Sequence, residues 1–134
     1  MAEFKHKKLA IWQEGRFLVR QVYEATGKFP DSERFALADQ LRRAIVSVPS
    51  NIAEGSSRES PSEFIHFLVI ARGSLAEVDT QLTLAEDLGY LTQDDSIHEA
   101  LASLAKRING LIAHLRRSSL QTSKLPNLQT SPKP

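Results

Sequence analysis

Apolar side chains recur every three or four positions through two long stretches of this chain, and that rhythm restricts the fold more than any other feature. In the first stretch they are Phe64, Leu68, Ala71, Leu75, Val78, Leu82 and Ala85. In the second they are Ile97, Leu101, Leu104, Ile108, Leu111 and Leu115. Steps that alternate between four and three describe a heptad seam, the pattern of helices that pack nearly parallel to their neighbours with knobs in holes. A shorter stripe, Leu37, Leu41, Ala44, Val48 and Ile52, marks another helix. A weaker one, Leu9, Trp12, Val19 and Tyr23, is interrupted by Arg16.

The punctuation agrees with four helices, expected at about 7–26, 32–57, 61–88 and 93–118. Ser60-Pro61-Ser62-Glu63 is a capping box with proline at the first helical position. Gly89 offers a left-handed stop. Thr92 is expected to cap the last helix, with Asp94 and Asp95 favourable near its dipole. Thr26 to Pro30 ends the first helix. Short loops imply antiparallel neighbours. The predicted fold is therefore all-α, an antiparallel up-down-up-down four-helix bundle over residues 1–118. From Ser119 the pattern gives way to Ser, Thr, Gln, Asn and three prolines, so residues 119–134 are expected to form a disordered or draped tail.

A chain of 134 residues suits one domain with a real core. It has no cysteine, which excludes disulfides and thiolate metal sites and fits a reducing, cytoplasmic setting. Lys5, Lys7 and Lys8 are followed by no long apolar run, so neither a signal peptide nor a membrane span is expected. The net charge of +1 conceals three blocks: +3 over residues 1–58, −8 over 59–99 and +6 over 100–134. Either the blocks neutralise one another inside the bundle, or the bases form a patch for RNA or DNA.

The stretch from Ser47 to Gly55 is unusual because the apolar period runs straight through Pro49. Proline inside a helix costs about 3 kcal/mol and frees the carbonyl four residues earlier, here that of Ile45. A kinked second helix is expected, with Ser47, Ser50 and Asn51 able to satisfy freed backbone groups. A ligand-binding notch is the competing reading. Counting outward from a turn centred at residues 58–59, Arg42 or Arg43 should meet Glu77, inside one chain or across a subunit boundary. Counting from the turn at Phe29 and Pro30, Trp12 should lie buried level with Ser47 to Pro49.

Two long blocks carry a resemblance. Gln40-Leu41-Arg42-Arg43-Ala44 leads into Ser47-Val48-Pro49-Ser50-Asn51-Ile52-Ala53-Glu54-Gly55, and Phe67 to Glu77 follows with Arg72 and Ser74 inside it. With Leu9 to Gln13, Tyr23, Phe29-Pro30 and Leu88 to Leu91, they closely resemble the bacterial family of proteins encoded in intervening sequences of 23S ribosomal RNA genes, also called S23 ribosomal proteins. The resemblance covers roughly residues 4–118. It implies a four-helix bundle that assembles into a five-membered ring. It also implies kinship with the accessory protein of diversity-generating retroelements, which partners a reverse transcriptase and nucleic acid. It implies no enzyme. Trp12, Ser47, Pro49, Asn51, Glu54, Arg72, Ser74 and Glu77 stand as its structural motif. Gly15 departs from it, since alanine is usual there, and should weaken the helix by about 1 kcal/mol.

Other chemistries fit poorly. A di-iron bundle needs two Glu-x-x-His pairs at one level. Glu63-x-x-His66 and Asp95-x-x-His98 would sit about 40 Å apart at 1.5 Å per residue. His6 and His114 are isolated. No phosphate loop appears, Gly55 and Gly73 being single, and no serine has a histidine and an acid in a catalytic frame. No catalytic residue, metal or cofactor is therefore expected. More apolar surface exists than one seam needs, and Ile11, Phe17, Leu18, Ile65 and Phe67, with Val69 and Ile70, are expected at an oligomer interface. Arg42, Arg43, Arg58, Lys106, Arg107, Arg116, Arg117 and Lys124 are the candidate nucleic-acid contacts. Two readings compete: an oligomeric module that binds RNA, DNA or a nucleoprotein partner, and a structural or protein-interaction scaffold whose bases only offset acids.

Overall fold

The computed structural model describes residues 3–124, with side chains described as far as Leu120. It contains four α-helices, α1 (Ala10–Thr26), α2 (Leu37–Ser56), α3 (Pro61–Asp87) and α4 (Asp95–Lys124), and among the described residues no strand. A short 3-10 turn, Lys5–Lys8, precedes α1, and a second, Asp31–Glu33, precedes α2.

Each boundary has a local cause. Ser60 Oγ accepts from the Glu63 amide at 3.2 Å, and Pro61 opens α3 behind it. Gly89 stops α3 at φ +79°. Its N–H bonds the Glu86 carbonyl while the Tyr90 N–H bonds that of Ala85, a Schellman closure. Asp94, not Thr92, caps α4: its carboxylate accepts from the Ser96 amide at 3.0 Å and the Ser96 hydroxyl at 2.6 Å. Those bonds hold the Asp94 carboxyl below its usual pKa. Helix α2 begins five residues later than the sequence implies. The Glu33 carboxylate receives both the Leu37 amide and the Tyr90 hydroxyl, which favours a separate turn over a first helical turn. Helix α4 continues through Ser119 to Lys124, beyond its expected end at 118, because nothing in Ser118 to Lys124 breaks a helix. The remaining tail residues, 125–134, lie outside the described part.

Contacts between helices fix their directions. Gly15 faces Pro49 while Arg42 bonds Thr26, so α1 and α2 run oppositely. Ser47 donates to Ser74 at 2.6 Å and Gln81 donates to Gln40 at 3.3 Å, which reverses α2 against α3. Arg72 donates to Asn109 while His98 sits between Asp79 and Glu86, reversing α3 against α4. Both α2–α3 pairs centre between Ser60 and Pro61, two residues beyond the expected centre, which moves the register of α3 along α2 by about one helical turn. Within one chain, the expected contact of Arg42 or Arg43 with Glu77 is therefore not made. Glu77 accepts from Gln81 at 3.2 Å, and Arg43 pairs with Asp39 at 3.1 Å.

The seam of α3 is realised, with Leu68, Ala71, Leu75, Val78, Leu82 and Ala85 all buried and Phe64 half-buried. In α4, Ile112 takes the buried place expected for Leu111, since a straight helix drifts from a strict heptad. Helix α1 is rotated from its expected phase. Its buried stripe is Ile11, Gly15, Leu18, Val22 and Thr26, whereas Leu9, Trp12 and Val19 are half-buried and Tyr23 is exposed. Glycine and threonine had disguised that stripe. Ile11 and Leu18, expected at an oligomer interface, belong to the subunit's own core. Trp12 is at the edge, and Gly15 is the residue that faces Val48 and Pro49.

Candidate nucleic-acid interface

Antiparallel packing gathers like charges at opposite ends of the bundle. The N-terminal turn, the α2–α3 connection and the C-terminal half of α4 share one end. Residues 3–16, 50–72 and 106–120 there hold ten Lys and Arg against five Asp and Glu, a balance of +5. Residues 17–49 and 73–105 make the other end, with five bases against eleven acids, a balance of −6. An open groove of about 580 Å³ lies at the acidic end, lined in part by Glu24, Lys28, Glu86, Tyr90 and Asp94. The charge blocks along the sequence thus become an axial separation.

The eight basic candidates divide into two groups. Four are held within the subunit. Arg42 donates to Thr26 at 2.8 Å and lies over the Tyr23 ring, Arg43 pairs with Asp39, Arg58 pairs with Glu54 at 3.7 Å and covers Phe67, and Arg107 reaches Glu14 at 3.1 Å. Arg42 and Arg43 also belong to the acidic half. Lys106, Arg116 and Arg117 are exposed and take part in no ion pair among the described residues. The Lys124 side chain lies outside the described residues.

A cationic and aromatic cluster that lies outside the helical periods stands at the same end. Phe4 stacks on His6 with ring centres 5.7 Å apart, His6 meets Trp12 at 4.9 Å, and the Arg16 guanidinium lies 5.5 Å from the indole centre. Lys5, Lys7 and Lys8 belong to the same turn and are all exposed. The signal was in the sequence as Phe4-Lys5-His6-Lys7-Lys8, an aromatic and basic alternation placed before the first helical period rather than on it.

The motif residues make contacts within the chain. Ser47 bonds the Ala44 carbonyl and Ser74, Asn51 bonds the Ser47 carbonyl, and Ser50 bonds that of Val46. Helix α2 is unbroken across Pro49, whose ring packs on Gly15. Glu54 pairs with Arg58, Arg72 with Asn109, and Glu77 with Gln81. Gly55 lets α3 approach: a Cβ there would lie 2.8 Å from Phe64 Cδ1 and 2.8 Å from Phe67 Cβ.

Of the interface candidates, Phe17 is 60% exposed, whereas Ile65 and Phe67 are half-buried. Val46, Val69, Ile70 and Leu84 add exposed apolar surface on α2 and α3. His98 has both ring nitrogens on carboxylates, Nδ1 to Asp79 at 2.5 Å and Nε2 to Glu86 at 2.9 Å. Burial opposes charge on the ring, but the two carboxylates prevail and raise its pKa above the usual value. Among the described residues no cluster of three or more His, Cys, Asp or Glu is placed to hold a metal ion, and no helix is long and apolar enough to cross a membrane.

Comparison with curated proteins finds no match. The family model described as 23S rRNA-intervening sequence protein does match, over residues 7–118. That span takes in all of α1, α2 and α3 and most of α4, and the chain belongs to this family.

Proposed function

We propose that this protein is a non-catalytic, oligomeric binding module of the cytoplasm that contacts RNA, or a nucleoprotein containing it, through its basic end. The observation that carries the reading is the axial separation of charge, with exposed Lys5, Lys7, Lys8, Lys106, Arg116 and Arg117 at one end. Phosphate contacts need only such cations, and they release counterions on binding. The family's link to ribosomal RNA genes supports RNA as the first ligand to test. Exposed Phe17, Val69, Ile70 and Leu84 support self-association, and the family resemblance makes a five-membered ring the expected form. Each subunit would then repeat the basic end, and several weak phosphate contacts would act together.

A scaffold without nucleic-acid binding is favoured by one observation: Arg42, Arg43, Arg58 and Arg107 are engaged within the subunit. The two readings separate on titration with RNA and DNA at about 50 and 200 mM salt. The binding module loses affinity steeply between them, since each neutralised phosphate contributes to the slope. A scaffold shows no binding at either.

A further inference from the structure

The Phe4, His6, Trp12 and Arg16 cluster is more than a local packing unit. Its inner members are fixed. Trp12 packs against the core, the Leu9 amide bonds the His6 carbonyl at 2.9 Å, and Gln13 Nε2 donates to the Lys7 carbonyl at 2.7 Å. Its outer member is open, for Phe4 is 72% exposed although it is held in a stack by the turn, whose Lys7 amide bonds the Phe4 carbonyl at 3.2 Å. A ring left in water at the end of a fixed stack offers a flat apolar face. Lys5, Lys7 and Lys8 are exposed on the same turn and take part in no ion pair among the described residues, and with Glu3 they leave a local balance of +2 beside the ring.

Flat aromatic faces within a basic groove are how proteins hold single-stranded nucleic acid: bases stack, and cations follow the backbone. A duplex cannot use such a face, because its bases already stack on one another. We propose that the open face of Phe4 receives an unpaired base of single-stranded RNA, with the neighbouring lysines on its phosphates. This inference rests on the RNA reading above and adds to it a preference for unpaired strands. A second copy of the chain, docking its acidic end here, is the competing occupant.

The test uses the full chain and fluorescence anisotropy with a labelled RNA of about eight adenosines, against an RNA duplex of equal length at the same low salt. The single strand should bind more tightly. Phe4→Ala should weaken single-strand binding about tenfold, within the range seen when a stacking side chain is removed, and leave duplex binding unchanged. Phe4→Leu, apolar but not flat, should behave like Phe4→Ala, whereas Phe4→Trp should bind at least as well as the native chain. Phe4 is exposed, so folding should persist, as circular dichroism would verify. Duplex binding with no effect of Phe4→Ala on the single strand would overturn the stacking site and leave the basic-end reading intact. No binding of either RNA would overturn both. A change in molecular mass on Phe4→Ala, with RNA affinity unaltered, would assign the face to self-association and likewise overturn the proposal.

Discussion

Replacing Gly15 with alanine should stabilise the protein, and the same substitution at Gly55 should destabilise it. Gly15 lies within the 17-residue α1, where alanine is better than glycine by about 1 kcal/mol, chiefly because the unfolded chain loses less freedom. The new methyl would meet Val48 Cγ1 at 3.4 Å and the Pro49 Cβ and Cδ at 3.6 Å, ordinary contact distances. Burying it can add up to about 0.8 kcal/mol. A net gain of about 1–2 kcal/mol follows, which for a chain of this length raises Tm by roughly 3–6 °C. Gly55 differs because its Cβ would lie 2.8 Å from Phe67 Cβ and 3.3 Å from the Phe64 carbonyl oxygen. Those atoms are on or beside the α3 backbone and yield only if the helices separate. A loss of about 1–3 kcal/mol is the expected scale of such overpacking. Urea and thermal unfolding followed at 222 nm, at one fixed protomer concentration, give both values. A neutral or destabilising Gly15→Ala, or a stabilising Gly55→Ala, would refute the packing of α2 against its two neighbours.

His98 supplies a pH-dependent clamp between α3 and α4. Its folded pKa is raised, so its stabilisation is full below the unfolded value near 6.5 and is lost as pH rises through the folded value. Tm should therefore fall as pH rises above about 6.5 by more in the native chain than in His98→Gln, and equal slopes would dismiss the clamp. The Ser47–Ser74 bond, 2.6 Å long and partly buried, should show a coupling of about 1 kcal/mol in a double-mutant cycle with alanine. Phe17→Asp should lower the mass of the assembly in light scattering while helix content persists, because Phe17 is outside the subunit core. An unchanged mass would remove Phe17 from the interface.

How much of this was legible depended on whether the buried residues looked apolar. Helix α3 was read correctly because its capping box, its seam and its glycine stop all agree. Helix α1 was read in the wrong phase because Gly15 and Thr26 occupy buried positions without announcing themselves, and Arg16 extends over Trp12 at the edge. That rotation took Ile11 and Leu18 out of the expected interface and into the core. The register of α2 on α3 differs by a turn from a count taken outward from the connection, and with it the partner of Glu77 changed. Charge blocks were visible in the sequence, but their meaning required topology. Only antiparallel packing brings Lys5 to Lys8 and Arg116 and Arg117 to one end. The Phe4 stack follows no helical period because it is built on a 3-10 turn.

Binding of RNA by the native chain and by the Arg116→Glu, Arg117→Glu double variant, measured across salt from about 50 to 200 mM, is the experiment to perform first. Both residues are exposed and take part in no ion pair among the described residues, so the variant should unfold at the native midpoint. Native affinity should fall steeply with salt, and the variant should bind more weakly with a shallower slope, each lost phosphate contact removing about 0.7–0.9 from it. Native affinity indifferent to salt, or a variant that binds as the native chain does, would contradict recognition through the basic end.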